Sequence, residues 1–272
     1  MADARSTGFA EDSVPRAYEH HMVRQLFEPW AGELLRRARP ARGLSVLDVA
    51  SGPGTVARLA AALVGEAGRV VASDISASMI ALAAAKPDEP GSATVEYVEC
   101  SADDLDVADA GFHLVLCQQG LQFFPNRLGA VREMHRVLAP GGVAYLSTWA
   151  AERPLGLFGP ITDAMRGCGV SEPFRRAFDA RSYAMRAGEL RELLEAAGFG
   201  DVSVETVELD CVWETSDDAL ATISGTPFGP ILAALPLITQ NAVRAFLLER
   251  LGSTDAGAVT LRTASNIARA VK

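Results

Sequence analysis

The chain reads as a doubly wound, Rossmann-like α/β domain, and three observations carry that reading. Apolar strand-like segments alternate with Ala/Leu-rich helical segments from Leu44 to Thr148. A glycine-bearing turn joins the first strand to the helix after it. Of the 272 residues, 49% are hydrophobic, enough to bury the core of one elaborated domain. Strands separated by helices run parallel, with the crossover helices covering both faces of the sheet.

Each element follows from local pattern. Residues 1–14 are small and polar and are expected to form a mobile tail, which leaves 15–272 as a single domain. From Val14 to Ala38, apolar residues including Val23, Leu26, Trp30 and Leu34 recur at helical spacing, and Pro29 interrupts them. Two short cover helices are therefore expected over 15–40. Leu44–Val49 is the first strand, followed by the glycine turn and a helix from Thr55 to Val64. Arg69–Ser73 is the second strand, and Ser76 caps the next helix. Thr94–Val98 and Phe112–Cys117 are the third and fourth strands. Asn126 caps a helix through Leu138 that Pro140-Gly141-Gly142 ends, before a fifth strand at Val143–Thr148. The rhythm then changes. Residues 151–184 and 215–256 read as partly helical lid insertions, on either side of a helix at Glu189–Ala197 and a long strand at Asp201–Trp213. Thr260–Val271 supplies the last strand.

Composition removes several classes of function. The net charge of −9 and the presence of only two lysines, Lys86 and Lys272, argue against nucleic acid and against an anionic membrane surface. No stretch is apolar for long enough to span a bilayer, and Met1–Arg16 lacks the apolar core of a signal peptide. Four widely spaced cysteines point to reduced thiols and a cytoplasmic protein. There is no H-E-x-x-H and no Cys/His quartet, so no metal is expected. The G-x-S-x-G elbow of serine hydrolases is absent as well. The composition leaves a homodimer open.

The most informative segment is Asp48-Val49-Ala50-Ser51-Gly52-Pro53-Gly54-Thr55. Glycines between a strand and a helix let a ligand lie against the main chain, at the edge where such sheets bind ligands. Asp74 follows the second strand about 20 residues on, where an acid accepts hydrogen bonds from ribose hydroxyls. Both a nicotinamide dinucleotide and S-adenosylmethionine carry that ribose. The dinucleotide fingerprint would place a third glycine at position 57, where Ala57, a tolerated variant, stands. Asp48 favours S-adenosylmethionine, since a carboxylate would repel a pyrophosphate but can face an ammonium or a sulfonium; it is expected either to orient the loop or to face the cofactor's amino group. No tyrosine has a lysine four residues on, which counts further against a nicotinamide oxidoreductase.

These residues resemble the class I S-adenosylmethionine-dependent methyltransferases, in particular the small-molecule group related to the quinone-biosynthesis enzymes. Asp48-x-Ala50-x-Gly52-x-Gly54 is similar to the family's first motif, with alanine in place of its first glycine. Asp74-Ile75-Ser76-x-x-Met79 resembles the second-strand motif, in which the acid holds the ribose and apolar neighbours such as Ile75 and Met79 pack on adenine. Val137-Leu138-Ala139-Pro140-Gly141-Gly142 looks like the turn before the fifth strand. The resemblance is strong over 14–150 and implies a seven-stranded sheet, S-adenosylmethionine as cofactor and a small-molecule methyl acceptor. It also aligns Cys100-Ser101-Ala102 with the family's G-D-A step, so that Ser101, or Asp103 in its place, would contact the adenine amino group, beside Ala102. His113 takes the place of the usual Asp at the start of the fourth strand, a structural position.

Methyl transfer to an unactivated hydroxyl needs a base, most often His, Asp or Glu. His20 and His21 are the candidates, because the N-terminal helix is expected to cover the cofactor; the alternative for both is a solvated helix face. His135 reads as a packing residue. Tyr18 on the same helix and Gln118 at the end of the fourth strand are candidate contacts to the cofactor's methionine part, and Gln118 also to the acceptor. Phe123 and Phe124 read either as pocket wall or as core. Together these point to methyl transfer onto a small apolar or aromatic acceptor, with oxygen favoured. The competing readings are a nicotinamide oxidoreductase and a fold-mate, cyclase or binding protein, that does not methylate.

Overall fold

The structure is a computed structural model, and it describes residues 16, 18–153, 156, 158–170, 183–226, 228–251 and 257–272. The tail 1–14, together with Phe174, Arg175, Arg176 and Phe178 of the first insertion, lies outside the described residues.

Seven strands form one sheet in the order β3-β2-β1-β4-β5-β7-β6. The strands are β1 (Ser45–Val49), β2 (Arg69–Asp74), β3 (Val95–Glu99), β4 (Phe112–Gln118), β5 (Leu138–Trp149), β6 (Gly200–Trp213) and β7 (Val259–Val271). The first five pair in parallel. β7 inserts antiparallel between β5 and β6. From β1 the chain winds one way to β2 and β3, then returns to β1's other side for β4 and β5. That reversal leaves a crevice beyond the carboxyl ends of β1 and β4.

Period-two alternation divides the core between the two faces of the sheet. Val46, Val70 and Leu114 face one side with Trp30 and Leu34, whereas Leu47, Val71 and Val115 face the other with Met134 and Leu190. Buried indoles keep their hydrogen bonds, as such groups must: Trp30 Nε1 donates to Thr263 Oγ1 and Trp213 Nε1 to Thr222 Oγ1, each at 3.0 Å. A third, smaller core joins α6 (Phe158–Gly167) to α10 (Leu237–Arg250) around Ile161, Met165, Val243 and Leu247.

Helix positions largely follow the sequence: α3 (Thr55–Val64), α4 (Ala77–Ala84), α5 (Arg127–Val137) and α7 (Ala187–Ala196). Ser76 Oγ accepts from Met79 N, and Asn126 Oδ1 from Gly129 N, as the caps require. Two boundaries differ. The N-terminal helices, α1 (Glu19–Phe27) and α2 (Glu28–Ala38), meet ahead of Pro29, which sits in the first turn of α2, a position where proline's fixed φ suits the helix. α1 itself is wound in the wider π form. β5 starts at Leu138 instead of Val143; Phe112 pairs with Leu138 and Leu114 with Val143, so the Pro-Gly-Gly residues bulge out of the ladder. Short helices α8 (Ser216–Ala221) and α9 (Phe228–Ala233) precede α10.

Candidate cofactor and acceptor site

A cavity of about 310 Å³ opens over the carboxyl ends of β1, β2, β4 and β5 and is roofed by α1. This is the size range of small-ligand sites. The glycine loop supplies Ala50 and Gly52 to its wall. Both have positive φ, at 57° and 53°. For Ala50 this is a strained conformation, the consequence of alanine standing where a glycine would turn freely. A side chain at Gly52 would point into open space. Gly54 behaves differently: a Cβ there would meet Tyr97 Oη at 3.1 Å and Ala83 Cβ at 3.2 Å, so this glycine serves close packing behind the loop, off the cavity wall.

Asp74 stands at the end of β2 on the cavity wall. Its Oδ2 accepts from Gly52 N at 2.8 Å and its Oδ1 from Ser76 N at 2.9 Å, so one carboxylate ties the glycine loop to the start of α4. Burial raises its pKa, and the backbone N–H groups oppose the rise. Ile75, 67% exposed, and buried Met79 flank it on the wall. Beyond β3, Ser101 and Ala102 reach the wall as well, and the Ser101 hydroxyl donates to Asp103 Oδ1 while Asn126 Nδ2 donates to Oδ2 at 3.0 Å. Those two bonds hold Asp103 below the usual carboxylate range.

Of the two roles open to Asp48, the geometry supports the structural one. It lies within β1, is 1% exposed, and does not line the cavity. Its Oδ2 accepts from Ala57 N at 3.0 Å, in the first turn of α3. Gly54, at the cap position of α3, has no side chain to do this, so Asp48 caps the helix from the neighbouring strand. From there it orients the loop. His20 and His21 require a correction: neither lines the cavity, and their rings meet edge to face at 4.6 Å on α1. Burial and the neighbouring His20 lower the His21 pKa. A base from these two histidines has no support in the geometry. The remaining histidines are structural, His113 Nδ1 accepting from Ser45 N at 3.2 Å and His135 packing edge-on against Phe199.

Tyr18 and Gln118 are both on the wall. Tyr18 stacks on Phe27 with ring centroids 4.7 Å apart. Its pKa is raised well above the ordinary value by burial first and then by the charges of Asp74, Glu19 and Asp48. Gln118 Nε2 donates to the Phe27 carbonyl at 3.0 Å. Phe123 and Phe124 line the cavity, and Phe123 packs against Tyr183 at 5.4 Å. The sequence reading missed Trp149, Phe27 and Met22. Trp149 ends β5 on the same sheet edge as Gln118, a placement that could have flagged it. Phe27 and Met22 carry no such signal, because they look like any other apolar face of α1.

α1 is fastened over this cavity at several points. Lys86 Nζ bonds Glu19 Oε2 and the Pro53 carbonyl, each at 2.8 Å, linking the cover helix to the glycine loop. Thr222 Oγ1 donates to the His21 carbonyl at 3.2 Å. At Gly225 a Cβ would lie 2.8 Å from Tyr18 Cα, so only glycine admits the helix that closely.

Known proteins share this arrangement. The methyltransferase domain family matches residues 46–142. The ubiquinone/menaquinone biosynthesis C-methyltransferase of Xylella fastidiosa (strain M23) is 33% identical over 186 residues, 66% of this chain and 73% of that protein. The protein of the same description from Klebsiella pneumoniae is 34% identical over 152 residues, and the chain spans about half of its length, 54%. Among solved structures, Haemonchus contortus phosphoethanolamine N-methyltransferase 2, in complex with S-adenosyl-L-methionine, superposes with a TM-score of 0.64 at 20% identity, over 100% of this chain and 60% of that one. The [4+2]-cyclase SpnF superposes with a TM-score of 0.61 at 17% identity, over 98% and 94% of the two chains. At such identities the structures establish the fold alone. With the sheet order, the glycine loop and the Xylella relative taken together, the chain belongs to the class I S-adenosylmethionine-dependent methyltransferases related to the quinone-biosynthesis methyltransferases.

Proposed function

We propose that the chain transfers a methyl group from S-adenosylmethionine to a small apolar or aromatic acceptor. The observation that carries this is the charge of the cavity wall. Asp74 and Asp103 line it, and among the described residues no Lys, Arg or His does. Such a wall suits a cation and opposes a pyrophosphate. The helix N-terminus that dinucleotide sites use for phosphate is engaged here by Asp48, which holds Ala57 N. Both points count against a nicotinamide cofactor.

The residues fit S-adenosylmethionine on two structural grounds: the open space above Gly52, and the buried Oε1 of Gln118, which has no partner. When bound, the cofactor supplies a methyl group on a sulfonium and departs as a neutral thioether. Asp74 would hold the ribose hydroxyls, since each carboxylate oxygen retains a lone pair beyond its backbone bond. Ile75 and Met79 would flank the adenine, with Ser101, Ala102 and Asp103 at its amino edge. Phe27, Trp149, Phe123 and Tyr183 would hold an apolar acceptor in line and keep water out. The described residues of 15–40 would serve as the cover, and the described parts of 151–184 and 215–256 as lids.

Oxygen was the acceptor atom favoured by the sequence. The wall offers no histidine base, and burial keeps Tyr18 protonated. The relatives named as C-methyltransferases favour carbon, and we propose an electron-rich ring carbon as the acceptor atom: the C–C bond would form as the S–CH3 bond breaks, and the ring proton would then leave to water or to a wall carboxylate such as Asp103.

Calorimetric titration with S-adenosylhomocysteine, alongside NAD(H), tests the reading. Gly52→Ala is the appropriate control: it places a methyl in the cavity, whereas Asp74→Ala would also release the Gly52 and Ser76 amides. Micromolar binding of S-adenosylhomocysteine that Gly52→Ala weakens is expected. Preference for NAD(H) would overturn the proposal.

A further inference from the structure

α1 roofs the cavity, and its winding decides which side chains face a ligand. Along its nine residues the backbone bonds step back five positions, as from the Glu28 N–H to the Val23 carbonyl. Such π winding is rare beyond a single turn and is frequent at functional sites. A π turn takes roughly 4.4 residues, so residues 18, 22 and 27 fall on one line. That line is the cavity face: Tyr18, Met22 and Phe27 are all on the wall, and the first and last stack with ring centroids 4.7 Å apart at 14°. In an α-helix the nine steps from 18 to 27 make about 2.5 turns, which sets the two rings on opposite sides.

The sequence of α1 suits the α form as well. Buried Met22, Val23, Leu26 and Phe27 stand three and four apart, the spacing of an α-helical face. What holds the π form is tertiary. Lys86 Nζ ties Glu19 to the Pro53 carbonyl at one end. From the insertion after β6, Thr222 Oγ1 holds the His21 carbonyl and Gly225 abuts the Tyr18 backbone. Past the other end, Trp30 Nε1 fixes α2 to Thr263. Rewinding from that fixed end as an α-helix would swing Tyr18 through about half a turn, off Phe27 and away from the cavity, and would part both N-terminal ties.

We propose that α1 is a two-register lid. Its π register seals the cavity under Tyr18, Met22 and Phe27, and an α register opens it for ligand exchange. A ligand that packs on Tyr18 makes that contact in the π register only, so occupancy selects the closed form. The ligand dependence rests on the methyltransferase reading above; the existence of two registers does not.

A double deletion separates the registers. His20 and Arg24 are exposed and off the cavity wall. Without them seven steps join Tyr18 to Phe27, about two α turns, so ordinary α winding would keep both rings over the cavity and lock the lid shut. Fluorine NMR of the full chain labelled with 3-fluorotyrosine follows Tyr18 as one of four tyrosine signals, identified by its loss in Tyr18→Phe. In the free wild type this signal should exchange between a stacked and a solvated environment on the microsecond-to-millisecond scale, and S-adenosylhomocysteine should leave only the stacked one. The deletion variant should show the stacked signal alone, with or without ligand, and should release S-adenosylhomocysteine about tenfold more slowly in a chase experiment. A single Tyr18 environment in the free wild type overturns the proposal, as does an unchanged release rate from a folded deletion variant. If that variant does not fold, the wild-type exchange decides alone. Failure of the wild type to bind S-adenosylhomocysteine would instead overturn the methyltransferase reading, and Tyr18 exchange in the free chain would still decide between one register and two.

Discussion

Replacing Asp48 by Asn separates a helix-capping role from a ligand-binding one. Asn keeps the shape and an oxygen to accept from Ala57 N, but it cannot ionise. In the folded chain, burial pushes the Asp48 carboxyl from 3.8 to about 8; the Asp74 charge adds to the rise and the Ala57 N–H opposes it. The proton is therefore held more tightly in the folded than in the unfolded chain. The stability this contributes is complete below the unfolded pKa and is lost as pH rises through about 8. About four pH units at ~1.36 kcal/mol each give a ceiling on the order of 5 kcal/mol. The N-terminus of α3 favours the anion, so roughly 2–3 kcal/mol is the expected loss. Urea denaturation of both proteins between about pH 4 and 9 measures it as the difference between the two curves. Wild type should lose stability relative to Asp48→Asn across that range, while S-adenosylhomocysteine affinity stays the same. Parallel curves would refute the buried, proton-holding cap. A tenfold loss of affinity at equal stability would show that Asp48 meets the ligand after all.

Other perturbations test the packing around the loop. Gly120→Ala would set a Cβ 2.7 Å from Ala50 Cβ, so it should cost about 1–3 kcal/mol, and Ala50→Gly in the same chain should recover most of that; additive losses in chemical denaturation would refute the contact. Lys86→Met removes the bonds to Glu19 and Pro53 O. Both side chains of the ion pair are partly exposed, so about 1 kcal/mol is expected, read most directly as faster exchange of the α1 amides. Gly225→Ala should push on Tyr18 and Met22, lowering the thermal midpoint and weakening S-adenosylhomocysteine binding together. A variant that bound as tightly as wild type would mean that α1 does not need to sit this close.

What the sequence determined by itself is what local chemistry encodes. Alternating Val, Leu and Ala segments specified parallel strands and crossover helices, because period-two and period-3.6 patterns survive in any tertiary setting. Ser76 and Asn126 were legible as caps because a cap reads only the next few amides. Asp74 was legible because its place at a strand end follows from chain order. The tertiary structure decided what depends on direction. Whether the Asp48 carboxyl faces a ligand or a helix end turns on which side of β1 it projects from, and the spacing of the motif is the same in both cases. The two glycines of the loop look alike in sequence, yet Gly52 opens on the cavity and Gly54 backs onto Tyr97. His20 and His21 fell off the site because the winding and docking of α1, set by contacts as distant as Gly225 and Thr222, turned Tyr18, Met22 and Phe27 inward in their place. Such contacts join residues some 200 positions apart, and no local pattern records them.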